Sequence, residues 1–150
     1  MYDDIINGFD EVWPRVLRAK EPQTDPRALI AAELGDARAF SEAAARYPRY
    51  RNIFRRLSSE ELSHARMLRA AFGIYGNIRP APHAPGGIEE LIKLESERLE
   101  AYAALSEKSP RRGLFRRLYS DEKRHLRELS RLQPPKFDLP KEWGSSSERR

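Results

Sequence analysis

The chain has 150 residues, of which 39% are hydrophobic and 34% charged, with no cysteine and a formal net charge of +5. That length suits one domain with its own core, and the lack of cysteine excludes disulfides, zinc ribbons and rubredoxin-type iron centres, leaving oxygen and nitrogen ligands for any metal. No apolar run approaches the roughly 20 residues that span a bilayer, and the arginines alternate with acids, as on solvated, ion-paired helices rather than a nucleic-acid patch.

Residues 2–12 are expected to form a short amphipathic helix, with Ile5, Ile6, Phe9 and Val12 on one side and Pro14 limiting its length. Its acidic flanks suit packing against the bundle or a second subunit better than a membrane surface. Asp3 and Asp4 stand where a signal segment would be basic, so a cytoplasmic location is expected. Residues 1–24 are read as this helix and a linker, 25–132 as the main domain.

Asp25-Pro26 is a helix-start signal, with Asp as cap and Pro at the first helical position, and helical periodicity runs on to about Arg46. A turn at Tyr47-Pro48 leads into a second helix ending near Phe72. Gly73 to Gly87 holds three prolines and four glycines and reads as a long connection. A third helix is predicted from Ile88 to Lys108, a turn at Ser109-Pro110, and a fourth helix from Arg111 to Leu132. From Gln133 the prolines and the Gly-Ser-Ser-Ser run read as a flexible tail over residues 133–150.

Two segments within this plan match. Arg51 to Leu68 and Arg112 to Leu129 share ten of eighteen residues in register at an offset of 61, including Glu61/His64 and Glu122/His125. An internal repeat implies one unit used twice, here a helical hairpin. On the second helix Tyr50, Phe54, Leu57, Glu61, His64, Leu68 and Ala71 form one stripe, and Phe115, Leu118, Glu122, His125, Leu129 and Leu132 repeat it on the fourth. The first helix carries Leu29, Glu33, Phe40, Ala43 and Tyr47, the third Ile88, Leu91, Glu95, Leu99 and Tyr102. Each helix therefore places a glutamate among core residues.

The carboxylates also match in height. The midpoint of Glu33 and Glu61 is residue 47, at the first turn, and that of Glu95 and Glu122 falls between 108 and 109, at the second. In each antiparallel hairpin the pair is level, about 20 Å from the turn at 1.5 Å per residue, with His64 and His125 about one turn further along. Glu97 and Glu100 are neighbouring alternatives to Glu95, which is preferred on height and stripe. Four ionised carboxylates in an apolar core require compensation. Two divalent cations balance them, and two neutral imidazoles add a nitrogen ligand for each ion. The alternative is a metal-free bundle whose Glu and His residues hydrogen-bond across the core, acting as an interaction module.

Three further groups are candidates beside the centre. His83, in the connection, reads as an exposed loop residue rather than a ligand. Tyr102 and Tyr119 can each donate a hydrogen bond to a ligand or simply pack in the core. Asp121 can orient a histidine on the facing helix or lie on the surface.

One Glu from each of two helices and Glu-x-x-His from the other two is the pattern of ferritin-like di-iron and di-manganese proteins. Through Glu33, EELSH at 60–64, Glu95 and DEKRH at 121–125, residues 25–132 resemble the ferritin-like superfamily, and most closely its rubrerythrin-type branch. The DEKRH segment also resembles the DExRH motif of related di-iron oxygenases. The resemblance implies an all-α, ferritin-like four-helix bundle of two hairpins joined by a long crossover, with the second and third helices parallel. It implies Glu33, Glu61, His64, Glu95, Glu122 and His125 as metal ligands, Glu61 and Glu122 as bridges, and two iron ions, or two manganese ions, as cofactor. The implied activity is that of a di-iron oxidoreductase reacting with hydrogen peroxide or dioxygen. A ferroxidase serving iron storage or detoxification and a di-manganese catalase are the related alternatives.

The chain departs from that branch in two ways. Arg98 stands where rubrerythrins carry an additional glutamate one turn after the third-helix ligand, and without cysteine no rubredoxin domain is expected. Electrons are then expected from an external donor protein or from ferrous iron, and a homodimer fits the enzyme reading. No membrane or nucleic-acid partner is expected.

Overall fold

A computed structural model describes residues 25–83 and 86–132. The expected N-terminal helix and C-terminal tail lie outside the described residues. Within them are four α-helices and one short 3-10 turn, and no strand: α1 Pro26–Arg46, the turn Pro48–Tyr50, α2 Arg51–Phe72, α3 Ile88–Lys108 and α4 Arg112–Leu132. The helices have 21, 22, 21 and 21 residues, about 30 Å each at 1.5 Å per residue.

Local chemistry sets the boundaries. The Asp25 side chain accepts from the Arg27 N–H at 2.9 Å, capping α1, and Pro26 occupies a first-turn position where no donor is needed. Pro48 then stops α1 and is accommodated in the 3-10 turn that leads into α2. Gly73 ends α2 in a left-handed conformation (φ 63°), and its N–H and that of Ile74 are satisfied by the Arg69 carbonyl. Glu89 and Glu90 lie in the first turn of α3, favourable to its dipole. The Ser109 hydroxyl accepts from the Arg111 N–H at 3.1 Å just before α4.

The helices pair as two hairpins, α1 with α2 and α3 with α4. Contacts between the hairpins run in opposite directions along the chain. On one side Glu33 meets Tyr102 and Asp36 meets Arg98; on the other, Arg56 meets Glu128, Glu60 meets Arg124 and His64 meets Asp121. Both α1/α3 and α2/α4 are therefore antiparallel.

The apolar core forms two clusters. One holds Phe40, Ala43, Phe54, Leu57, Leu91 and Leu129, with Tyr47 and Ile88 packed against it. The other holds Ile30, Ala65, Leu68, Tyr102, Leu105, Phe115 and Leu118. Full burial of each large side chain contributes about 1.5–3 kcal/mol. The apolar residues of the predicted stripes lie in or against these clusters, except Leu99, which is buried outside both, and half-buried Ala71; Ile30 rather than half-buried Leu29 fills the start of α1. Between the clusters in chain position lies a polar layer.

The connection after α2 follows α1. Ala81 N–H donates to the Ala31 carbonyl at 2.8 Å, and a Cβ added at Gly35 would stand 2.5 Å from the Ala81 carbonyl oxygen, so this approach requires glycine. Further on, His83 Nε2 lies 2.9 Å from Glu42, and Arg46 donates to the Gly86 carbonyl. His83 is half-buried and tied to Glu42, which corrects the expectation of an exposed loop residue; the fixed course of the connection holds it there.

Candidate metal centre

The polar layer consists of the six residues singled out from sequence. Glu33, Glu61, Glu95, Glu122 and His125 are fully buried and His64 is 2% exposed. Glu97 and Glu100 are exposed, so the register of α3 selects Glu95. One carboxylate reaches the layer from each helix, and α2 and α4 each add the imidazole one turn later on the same face.

The six residues form two overlapping sets. Glu33, Glu61, His64 and Glu122 bring one ligand atom each to within 4.8 Å of one another, as do Glu61, Glu95, Glu122 and His125. Glu61 and Glu122 belong to both. His64 Nδ1 lies 3.1 Å from Glu122, 3.2 Å from Glu61 and 3.6 Å from Glu33. His125 Nδ1 lies 2.7 Å from Glu61, 3.4 Å from Glu95 and 3.5 Å from Glu122.

The outer edges of the imidazoles are fixed by carboxylates from the other hairpin. His64 Nε2 lies 3.0 Å from Asp121 Oδ2, and His125 Nε2 lies 2.6 Å from Glu60 Oε2. An ionised carboxylate can only accept, so each Nε2 carries hydrogen and a neutral ring presents the Nδ1 lone pair to the layer. Asp121 thus occupies the orienting position. Glu60 was missed as its counterpart, although it lies one repeat before Asp121 and the offset of 61 would have found it. The Tyr102 hydroxyl donates to Glu33 Oε1, while Tyr119 is half-buried against the second apolar cluster.

Arg98 and Asp36 form a second buried arrangement beside the layer, with Arg98 Nε 2.9 Å from Asp36 Oδ2. Burial pushes the Asp36 carboxyl up to about 6, against the downward pull of Arg98. Arg98 is therefore committed to a counter-ion on α1.

Electrostatics divide the six groups. Burial first, then the charges of Glu61 and Glu122, hold Glu33 and Glu95 well above the usual carboxylate range. Burial also pushes Glu61 and Glu122 upward, but the close approach of His125, His64 and Glu33 to Glu61, and of Glu95 and the two imidazoles to Glu122, outweighs it and holds both below that range. For the histidines burial favours the neutral ring, yet the facing carboxylates hold both pKa values well above ordinary. Without metal, two imidazolium ions thus balance two carboxylates beside two neutral acids.

The fit to metal rests on atoms left without partners. Buried Glu33 Oε2, Glu61 Oε1, both oxygens of Glu95 and of Glu122, and His125 Nδ1 have no hydrogen-bond partner. The close approach of His125 Nδ1 to Glu61 is charge proximity without hydrogen-bond alignment. Unsatisfied buried polar atoms are costly and uncommon, and here seven converge in one layer, within two groups that could hold metal ions. The donors are carboxylate oxygen and imidazole nitrogen, a set that could hold divalent cations.

No family model, curated protein or solved structure matches the chain. Among the described residues, no helix is long and apolar enough to cross a membrane.

Proposed function

We propose that this chain is a di-iron oxidoreductase of the rubrerythrin type, acting on hydrogen peroxide or dioxygen, with peroxide reduction as its main activity. The observation that carries this reading is the pair of overlapping ligand sets sharing Glu61 and Glu122. Ferritin-like topology is supported by the antiparallel α1/α3 and α2/α4 pairs and by the connection running along α1. Two hairpins with those pairings make α2 and α3 parallel, as a long crossover requires.

Glu33 and His64 would hold one ion and Glu95 and His125 the other, with Glu61 and Glu122 between them. A bound ferrous pair would supply the two electrons that cleavage of a peroxide O–O bond requires, with two protons completing two water molecules. The protein keeps the ligands in place and the layer dry. Tyr102 fixes Glu33, while Asp121 and Glu60 fix the ring orientation of His64 and His125. The apolar clusters on either side keep bulk water from the carboxylates. An external donor protein, or ferrous iron itself, restores the reduced state, and a homodimer is the expected assembly.

The test begins with elemental analysis of protein from its native host, followed by anaerobic ferrous loading and a peroxide challenge. About two iron ions per chain and peroxide consumption are expected. Manganese with oxygen evolution from peroxide replaces the reading by a catalase, and a ferroxidase that assembles as a cage replaces it by iron storage. Protein that cannot be loaded with metal removes all three.

A further inference from the structure

Glu33 and Glu95 stand at matched heights in the two hairpins, one in each ligand set, and one residue beside them lacks the group its counterpart uses. Glu33 on α1 and Glu95 on α3 occupy equivalent places. Seven residues after each, on the same face, stand Phe40 and Tyr102. Both rings are buried, at 1% and 0% exposure. The Tyr102 hydroxyl reaches across to Glu33. In the antiparallel register that pairs Glu33 with Tyr102 and Asp36 with Arg98, Phe40 comes level with Glu95 but has no hydroxyl to offer it, and the two buried oxygens of Glu95 are left without a hydrogen-bond partner.

We propose that the two metal positions are inequivalent: the one built on Glu33 and His64 takes its divalent ion first and more tightly, and the one built on Glu95 and His125 is weaker and exchangeable. The inference rests on reading the cluster as a dinuclear metal centre. Its cause is the hydroxyl present at Tyr102 and absent at Phe40. A carboxylate oriented in advance loses less side-chain freedom when it ligates. With Oε1 of Glu33 engaged by Tyr102, Oε2 remains for the ion. Glu95 is free to ligate through one oxygen or two. Contacts of this kind are worth about 10–100-fold in metal affinity, so the two binding steps should separate by a factor in that range.

Tyr102 is thus a positioning residue, and the test asks for a gain as well as a loss. The full chain is titrated anaerobically with cobalt(II), followed by visible absorption and equilibrium dialysis. Wild type is expected to bind in a tight and a weak step, and Glu95→Gln to lose the weak step alone. Tyr102→Phe should weaken the tight step by about 10-fold. Phe40→Tyr should strengthen the weak step and draw the two together, which general loosening of the core cannot produce. If Phe40→Tyr does not fold, as judged by circular dichroism, the other two variants decide. Two equal steps in wild type, or loss of the tight step in Glu95→Gln, overturns the inference and leaves the dinuclear reading standing. Protein that binds no cobalt overturns the reading and the inference with it.

Discussion

His64 and His125 lie ring against ring, their centroids 5.7 Å apart and their planes 19° from parallel. Each turns Nδ1 toward the carboxylate layer and Nε2 toward a carboxylate of the opposite hairpin. The stacking brings the two halves of the repeat together at the centre, and Asp121 and Glu60 fix the ring orientations.

Asp121→Asn and Glu60→Gln should each lower metal affinity by about 10–100-fold while helix content stays unchanged. The amide offers a donor as well as an acceptor, so the ring is no longer restricted to Nε2–H. Competition against a chelator of known affinity measures the change. Wild-type affinity in both variants would remove the orienting role.

Loading two divalent ions should release about four protons per chain at neutral pH. His64 and His125 each lose one, being held charged without metal, and Glu33 and Glu95 each lose one, being held as neutral acids. Calorimetric titration in buffers of different ionisation enthalpy counts them. Release of none would mean that the metal-free charge state is wrong.

The metal-free protein should lose stability as pH rises above about 6.5. Unfolded histidine has given up its proton there, from a reference value of 6.5, while folded His64 and His125 keep theirs. Glu33 and Glu95 act in the same direction, because their unfolded carboxyls ionise near 4.5 and the folded ones remain neutral. Above pH 6.5 the folded state binds more protons through these four groups, and stability falls with pH wherever that holds. The melting temperature of chelator-treated protein should drop between pH 6.5 and pH 9, and the gap to metal-loaded protein should widen. A flat or rising curve contradicts this.

Glu95→Leu should stabilise the metal-free protein by about 1–3 kcal/mol, the usual cost of a buried polar group with no partner, and remove one ion from the loaded form. Both oxygens of Glu95 are buried and unpartnered, a state that serves binding rather than folding. Urea denaturation with and without metal checks both parts.

Gly35→Ala should destabilise the fold by about 1–3 kcal/mol, as overpacking usually does. The new Cβ would meet the Ala81 carbonyl at 2.5 Å, pressing the connection away from α1. Thermal melting measures the loss, and an unchanged melting temperature would argue against so close an approach.

Periodicity alone placed Glu33, Glu61, Glu95 and Glu122 among core residues, and the equal distances from the two turns set them level. Those features belong to single helices and short hairpins, where spacing and turn position decide which face is buried and at what height. The partners around the centre were a different matter. That Glu60 reaches His125, that Tyr102 rather than Tyr119 meets Glu33, and that Arg98 pairs with Asp36 depends on how α2 is rotated against α4 and α1 against α3. One helix's sequence does not contain that rotation. It is set when side chains from both hairpins interlock, and only the packed structure shows which surface carboxylate faces which ring.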